Sequence, residues 1–223
     1  MIEAAAAPET RYAPLDGAHL DAVMQLHLAA TGAVGRADLI KPENRDFFER
    51  ILTGAGRMFG VWRGGAFVGY GVLQLDLPPS EDARPQLGLK ATESLAKLAG
   101  ACVLPEAWGH GIHDALIEIR VAEARRLGLD HLYATAAPGN ARSWENLLAA
   151  GFSVCGLVEK YGGHQRYLLH RREGAPQRPT DDGVWLGAED TAGQVELIAK
   201  GWAAGQWRRR ADGGRDLFYR GPA

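Results

Sequence analysis

The chain has 223 residues, 46% hydrophobic and 23% charged, which suits one sizeable domain with a hydrophobic core or one domain plus a small appendage. A net charge of −2 offers no strong field for nucleic acid or an acidic membrane, and no apolar run approaches the length of a membrane span. The two cysteines, Cys102 and Cys155, form neither a disulfide framework nor a metal-ligand spacing and read as buried thiols. Met1 to Pro8 carries no basic and apolar leader, so the expected location is cytoplasmic.

In chain order, a short extended piece lies around Arg11 to Pro14, and Asp16 caps a helix through Leu20, Val23, Met24, His27 and Leu28. A second helix fits Glu43 to Leu52. A hairpin follows: Met58 to Trp62, a turn at Arg63-Gly64-Gly65, and Ala66 to Leu77. Pro78 to Pro85 is a polar loop, either a plain connector or the border of a cleft. Leu95 to Leu104 reads as a buried strand. Gly111 to Leu127 reads as an amphipathic helix with Ile112, Leu116, Ile119 and Ala122 on its apolar face. Then come a strand (His131 to Ala137), a helix (Asn140 to Ala150) and two strands (Phe152 to Glu159, Gln165 to His170). Beyond a Pro- and Gly-rich linker at 173–183, a helix near Thr191 to Ala203 precedes a hairpin of Gln206 to Arg210 and Asp216 to Arg220. Arg208, Arg209 and Arg210 read as a solvated hairpin edge.

The order strand, helix, strand, helix, strand, strand predicts an α/β (α+β) fold. Its mixed, partly parallel twisted sheet is flanked by helices and followed by a small C-terminal helix-hairpin appendage. Residues 10–172 form the expected main domain and 184–223 the appendage.

The segment richest in chemistry is Val103-Leu104-Pro105-Glu106-Ala107-Trp108-Gly109-His110-Gly111-Ile112-His113. A strand runs into a glycine turn that opens a helix, so free N–H groups and the positive helix end make an anion site. No Lys-Ser/Thr follows the glycines, which argues against a nucleoside-triphosphate loop, and the third glycine of the dinucleotide fingerprint is missing. His110 and His113 share metal-ligand spacing, so a metal-dependent hydrolase is a competing class.

Val103, Pro105, Gly109 and Gly111 fall in register with the V-x-P-x-x-R/Q-G-x-G-x-G/A motif of the GNAT family of N-acetyltransferases, which this chain resembles. Trp108 stands where that family has Arg or Gln, and His113 where it has Gly or Ala. Asn140-Ala-Arg-Ser143 with Gly151-Phe152 is similar to the family's N-x-x-S/A…G-F segment. Tyr161-Gly162-Gly163-His164-Gln165-Arg166-Tyr167-Leu168 resembles the Y-G-G-x-x-R-Y-L ending of one bacterial branch.

The resemblance implies acetyl-CoA or another acyl-CoA as cofactor and an amine acceptor on a small molecule or peptide. The alternative is a GNAT-like CoA-binding module without turnover. The CoA pyrophosphate is expected on the backbone of Trp108, Gly109, His110, Gly111, Ile112 and His113, and the rest of the cofactor along Ala101, Val103, Asn140 and Ser143. Asn140 at a helix start also reads as a plain cap.

The tyrosine that the family uses as acid falls on Leu147, so the acid role passes to Tyr161 first, with Ser143, His164 and Tyr133 behind it. Glu93 and Glu106 are candidate bases. Arg166 and His164 are candidate substrate contacts, Arg166 for an acidic group on the acceptor. Trp62, Trp144 and Trp185 read as packing residues. No metal, nucleic acid or membrane is expected, and a homodimer is an open expectation for the appendage.

Overall fold

Strand and turn chemistry set the frame. In the computed structural model, which describes residues 8–36, 38–174 and 182–222, the first strand is β1 (Thr10–Pro14). Asp16 accepts from Ala18 N–H and shares a capping box with His19, starting a short turn that leads into α1 (Leu20–Val34). Asn44 caps α2 (Arg45–Arg50) by accepting from Phe47 N–H at 2.9 Å. The strands β2 (Gly56–Arg63) and β3 (Ala66–Gln74) reverse at Gly64 and Gly65, whose φ of 56° and 84° are what a two-residue hairpin turn with right-twisted strands requires.

After α3 (Arg84–Leu87) come β4 (Leu95–Val103), α4 (Ile112–Arg126), β5 (His131–Ala136), α5 (Ala141–Ala149), β6 (Ser153–Lys160) and β7 (His164–Arg172). The C-terminal part holds β8 (Val184–Gly187), α6 (Thr191–Ala199), β9 (Ala203–Arg209) and β10 (Arg215–Arg220).

One ten-stranded sheet runs in the order β1-β2-β3-β4-β5-β7-β6-β9-β10-β8. Only β4 and β5 pair in parallel among the described residues, with α4 as the crossover. The mixed, partly parallel sheet expected from the sequence is therefore present. One core joins α1 and α2 to the sheet through Val23, Leu26, Phe48, Ile51, Tyr70 and Val72. The larger core joins α4 and α5 through Leu73, Leu98, Ile117, Val121, Trp144 and Phe152.

Several boundaries differ from the sequence expectation for physical reasons. β3 ends at Gln74, not Leu77, because Leu75 and Asp76 N–H both turn to Ala55 O at 2.9 Å. The buried stripe of α4 is Ile112, Leu116, Ile117, Arg120, Val121 and Ala124, while Ala122 is exposed. The stripe turned once the helix settled Ile117 and Val121 against Leu73 and Leu98. α6 stops at Ala199, where Gly201 takes a φ of 79° and β9 begins two residues later. β8 is a strand not expected from the sequence.

Residues 175–181, most of the expected linker, lie outside the described residues, as do Met1 to Ala7. Past the linker, Val154 of β6 faces Ala204 of β9, so the sheet continues into the C-terminal strands. Trp207 meets Trp144 edge-on at 6.0 Å, and Tyr219 donates to Gln194 Oε1 at 2.9 Å. Trp144 is wholly buried; Trp62 packs on Phe67 and Trp185 on Phe218.

Candidate active site

Two strands that part make the cleft. β4 and β5 are paired at Leu95↔His131, Ala96↔Leu132 and Lys97↔Tyr133, and no further. Beyond Lys97, β4 bulges: Leu98 faces Leu73 and Ala101 faces Gly71, so Ala99 and Gly100 crowd the space opposite Val72. Arg120, reaching in from α4, pins the bulge. Its Nη1 donates to Ala99 O at 3.2 Å and Val72 O at 3.3 Å, and its Nε to Leu116 O at 2.8 Å. Burial pulls the guanidinium down to about 9.

The parting opens a cavity of about 130 Å³. Leu98 to Cys102 form one wall, and Ala134 to Ala137 with Asn140, Ser143 and Leu147 form the other. Leu104 N–H donates back to Val68 O at 2.9 Å. Antiparallel alternation therefore turns the N–H groups of Ala101 and Val103 away from β3, toward the cleft.

At one end of the cleft the chain leaves β4, makes a tight turn and enters α4. Gly109 and Gly111 have φ of 82° and 69°, and a Cβ on either would meet no atom within 4 Å. Glycine serves the backbone angle here and leaves the surface open. No side chain caps α4, and no hydrogen bond among the described residues engages the N–H groups of Gly109, His110 or Gly111. A 15-residue helix thus presents unsatisfied donors and its positive end toward the cleft.

The other end is lined by charge. Lys97 is 4% exposed, ion-pairs with Glu81 and lies 3.3 Å from the Tyr161 hydroxyl. Lys41 lies 3.1 Å from Glu43 and 3.5 Å from Glu81. Burial lifts the Glu43 carboxyl above the ordinary range, and Lys41 offsets this only in part. Burial also pulls at Glu81, but Lys97, Lys41 and Lys160 together hold it below that range.

Behind Glu43 runs a buried chain of hydrogen bonds. Glu43 N–H donates to His27 Nε2 at 2.9 Å, which leaves the ring proton on Nδ1; Nδ1 donates to Tyr70 at 2.7 Å, and Tyr70 donates to Cys102 Sγ at 3.4 Å. Burial keeps His27 neutral and pushes the Cys102 thiol up. The fold sets His27 Nδ1 3.8 Å from the Cys102 sulfur, but that nitrogen carries the ring proton and faces the thiol as a donor, not as a base.

Several sequence-predicted residues meet in this cavity: Ala101, His113, Asn140, Ser143, Tyr161 and Arg166 all line it, and Gly109, His110, Gly111 and Ile112 form the turn at its mouth. His113 does not crowd that turn. Asn146 Nδ2 lies 3.0 Å from its Nδ1, which orients the ring between α4 and α5, and burial pushes it down to about 4. Asn140 occupies the cap position of α5 without a side-chain cap bond, so the amide is not spent on the helix.

Others are placed differently. Trp108 N–H, expected to be free for a ligand, donates to Pro105 O at 3.1 Å, and its indole donates to Val103 O at 2.8 Å. Glu93 lies ahead of β4, outside the cavity, accepting from Lys90 N–H at 2.6 Å and 3.5 Å from His131 Nε2. Glu106 lies on the exposed turn before Trp108. His164 starts β7 opposite Lys160, outside the cavity lining. Tyr133 is wholly buried, with its hydroxyl on Glu81 O. Among the described residues no cluster of three or more His, Cys, Asp or Glu side chains is arranged for a metal.

The sequence reading missed Lys41, Glu43, Glu81 and Lys97. Lys97 carried a signal, as a lone charge inside an apolar strand; so did Arg120, at the i+4 step from Leu116 on the apolar side of α4. Lys41, Glu43 and Glu81 sit in connecting segments, where charge is the ordinary composition.

A mixed sheet whose one parallel pair opens into a cleft, with an uncapped helix beside it, defines the class of fold. The chain belongs to the acetyltransferase (GNAT) family, whose model matches residues 20–152. A comparison with curated proteins returns no match. Among solved structures, the ribosomal-protein-S18-alanine N-acetyltransferase of Escherichia coli superposes with a TM-score of 0.57 at 14% identity, over 78% of this chain and 100% of that one. The yncA protein of Salmonella typhimurium, solved with its cofactor acetyl-CoA, gives 0.56 at 16% identity over 78% and 99%. The ribosomal-protein-alanine N-acetyltransferase of Brucella melitensis gives 0.56 at 21% identity over 73% and 99%. At these identities the likeness is one of fold.

Proposed function

We propose that the chain moves an acetyl or other short acyl group from acyl-CoA to an amine on a small molecule or peptide. The observation that carries this reading is the parting of β4 from β5 beyond Lys97 and Tyr133, with the uncapped N-terminus of α4 at its mouth. The acetyl-CoA bound to the Salmonella neighbour supports the same donor.

An acyl-CoA supplies a thioester carbon that a neutral amine can attack. The N–H groups of Gly109 to His113 would hold the diphosphate. Asn140 and Ser143 would face the pantetheine arm, and the cleft-facing N–H groups of Ala101 and Val103 would receive the thioester oxygen as charge builds on it. Glu43 takes the proton from the ammonium of the acceptor through water; its raised proton affinity suits a base working near neutrality. Tyr161 gives a proton to the departing sulfur and is re-protonated from solvent. Its backbone, at a φ of 55° unusual for a bulky residue, is held so that the hydroxyl sits by Lys97 and Thr135.

One observation favours a second reading, a CoA-binding module without turnover: Leu147 lines the cavity where the family resemblance expects an acidic tyrosine. Calorimetry with acetyl-CoA and release of CoA thiol with a panel of amines separate the two. Binding with release supports transfer, binding without release supports the module, and neither would overturn both. No described residue of 184–222 lines the cavity, which supports assigning acyl transfer to 10–172 and a buttressing role to the C-terminal strands.

A further inference from the structure

Charge at the acceptor end of the cavity does not balance. Lys97 and Lys41 are matched by Glu81 and Glu43. His27 and His113 are kept neutral by burial. Two guanidinium groups remain. Arg120 is taken up by three carbonyls, Leu116 O on its own helix, Val72 O on β3 and Ala99 O at the β4 bulge. Arg166 has no such cage. It is 3% exposed and lines the cavity, yet the one acceptor its Nη1 meets is the carbonyl of its own neighbour Gln165. Its Nη2 is closed off from solvent with no acceptor among the described residues.

Asp38, an acid whose charge reaches it, is tied to Arg36 at 2.6 Å. The strained Tyr161 places its ring 5.5 Å from the guanidinium, a contact that leaves the Nη2 donors unused. A buried guanidinium with an unpaired edge is costly for a fold to keep, and a planar anion matches that edge.

We propose that Arg166 receives a carboxylate carried by one of the two reactants; this rests on the acyl-transfer reading. The carboxylate can belong to the acceptor, as in a free amino acid, or to the acyl group, as in the thioester of a dicarboxylic acid. In either case it docks beside Tyr161, and the reacting amine or carbonyl then falls between Glu43 and the β4 bulge.

The test uses the full chain and calorimetry, so that it reads binding whether or not turnover occurs. In one arm the protein is saturated with CoA and titrated with the twenty free amino acids and with their carboxamides. In the other it is titrated with succinyl-CoA and with butyryl-CoA. We expect at least one carboxylate to bind about tenfold or more tightly than its uncharged partner, the loss typical of one charge-assisted hydrogen bond. Arg166→Gln should bring that ratio close to one, and Arg166→Lys should keep part of it. The arm that shows the preference identifies its source. Equal affinities in both arms, or a preference that survives Arg166→Gln, would overturn the proposal. If Arg166→Gln fails to fold, the wild-type ratios and Arg166→Lys still decide. Failure of acyl transfer itself appears separately, as absence of acetyl-CoA binding or of CoA release.

Discussion

Glu43 is the sharpest point at which to test the chemistry, because its assigned role comes from its position alone. Its side chain is 10% exposed, it faces the cavity, and burial outweighs the 3.1 Å contact with Lys41, so its carboxyl holds a proton more firmly than usual. A base must be deprotonated, so activity should rise with pH through the raised pKa, and the acid limb of kcat/KM should lie above the ordinary carboxylate range. Replacing Glu43 with Gln keeps the size and the backbone N–H to His27 but removes the base. One general base contributes about 10²–10⁴-fold. The carboxylate is tied to Lys41 and acts through water, so the lower end applies, about 10² or about 2.7 kcal/mol. The assay is CoA release across pH 5 to 9, in steps of about half a unit, for Glu43→Gln and for Lys41→Met. Lys41→Met removes the opposing cation and should move the limb to higher pH. An unchanged limb in Glu43→Gln, or a downward shift in Lys41→Met, would refute the assignment.

Other outcomes follow from single observations. Gly111→Ala places a side chain at a φ of 69°, which costs about 1–2 kcal/mol and should lower the melting temperature by a few degrees. The larger effect should be loss of the stabilisation that acetyl-CoA gives the wild type in the same melt; retention of that ligand shift would count against a phosphate site there. Tyr161→Phe removes one hydroxyl while keeping the ring among Lys41, Lys97 and Arg166. It should lower kcat about 10²-fold with KM for the amine little changed, and a full-rate variant would exclude Tyr161 as the acid.

Burial pushes His170, beside His131, down to about 4, as it does His113. Between pH 6.5 and 4 the unfolded chain binds protons that the folded chain does not, so stability is lost as pH falls through that window. The loss is up to about 3 kcal/mol for each histidine. Thermal melts of His170→Gln against pH should show a shallower slope than the wild type between pH 6.5 and 4; an identical slope would mean His170 does not titrate this way.

How much of this was legible beforehand follows from which interactions are local. The hairpin at Gly64 and Gly65, the Asp16 start before α1 and the stops at Gly128 and Gly151 were readable, because turn and cap chemistry depends on neighbours in sequence. Val103, Pro105, Gly109 and Gly111 marked the glycine turn for the same reason, as a strand end and a helix start separated by a few residues. The phase of α4 was misread because Arg120 looks like a surface residue. It is buried only because the bulge of β4 and the strand β3 offer it carbonyls from far along the chain. β8 went unseen because four residues next to a linker carry little pattern, and its strand exists through pairing with β10.

The residues expected to do acid and base work divide along the same line. Tyr161 was reached because it precedes two glycines in the turn between the last main strands. Glu93, a candidate base from the sequence, lies beside His131 at the start of β4 and outside the cavity lining. Glu43 and Lys41 could not be read, since nothing local in their connecting segment ties them to Tyr161, which the sheet brings round from more than a hundred residues away.

The sequence by itself determined the mixed sheet, the glycine turn and the family, because periodicity, capping and motif register act over short spans. Only the tertiary structure decided where β4 and β5 part, which charges face one another across that gap, and that Arg166 Nη2 has no acceptor there among the described residues. Those are properties of segments brought together by packing, and no local pattern encodes them.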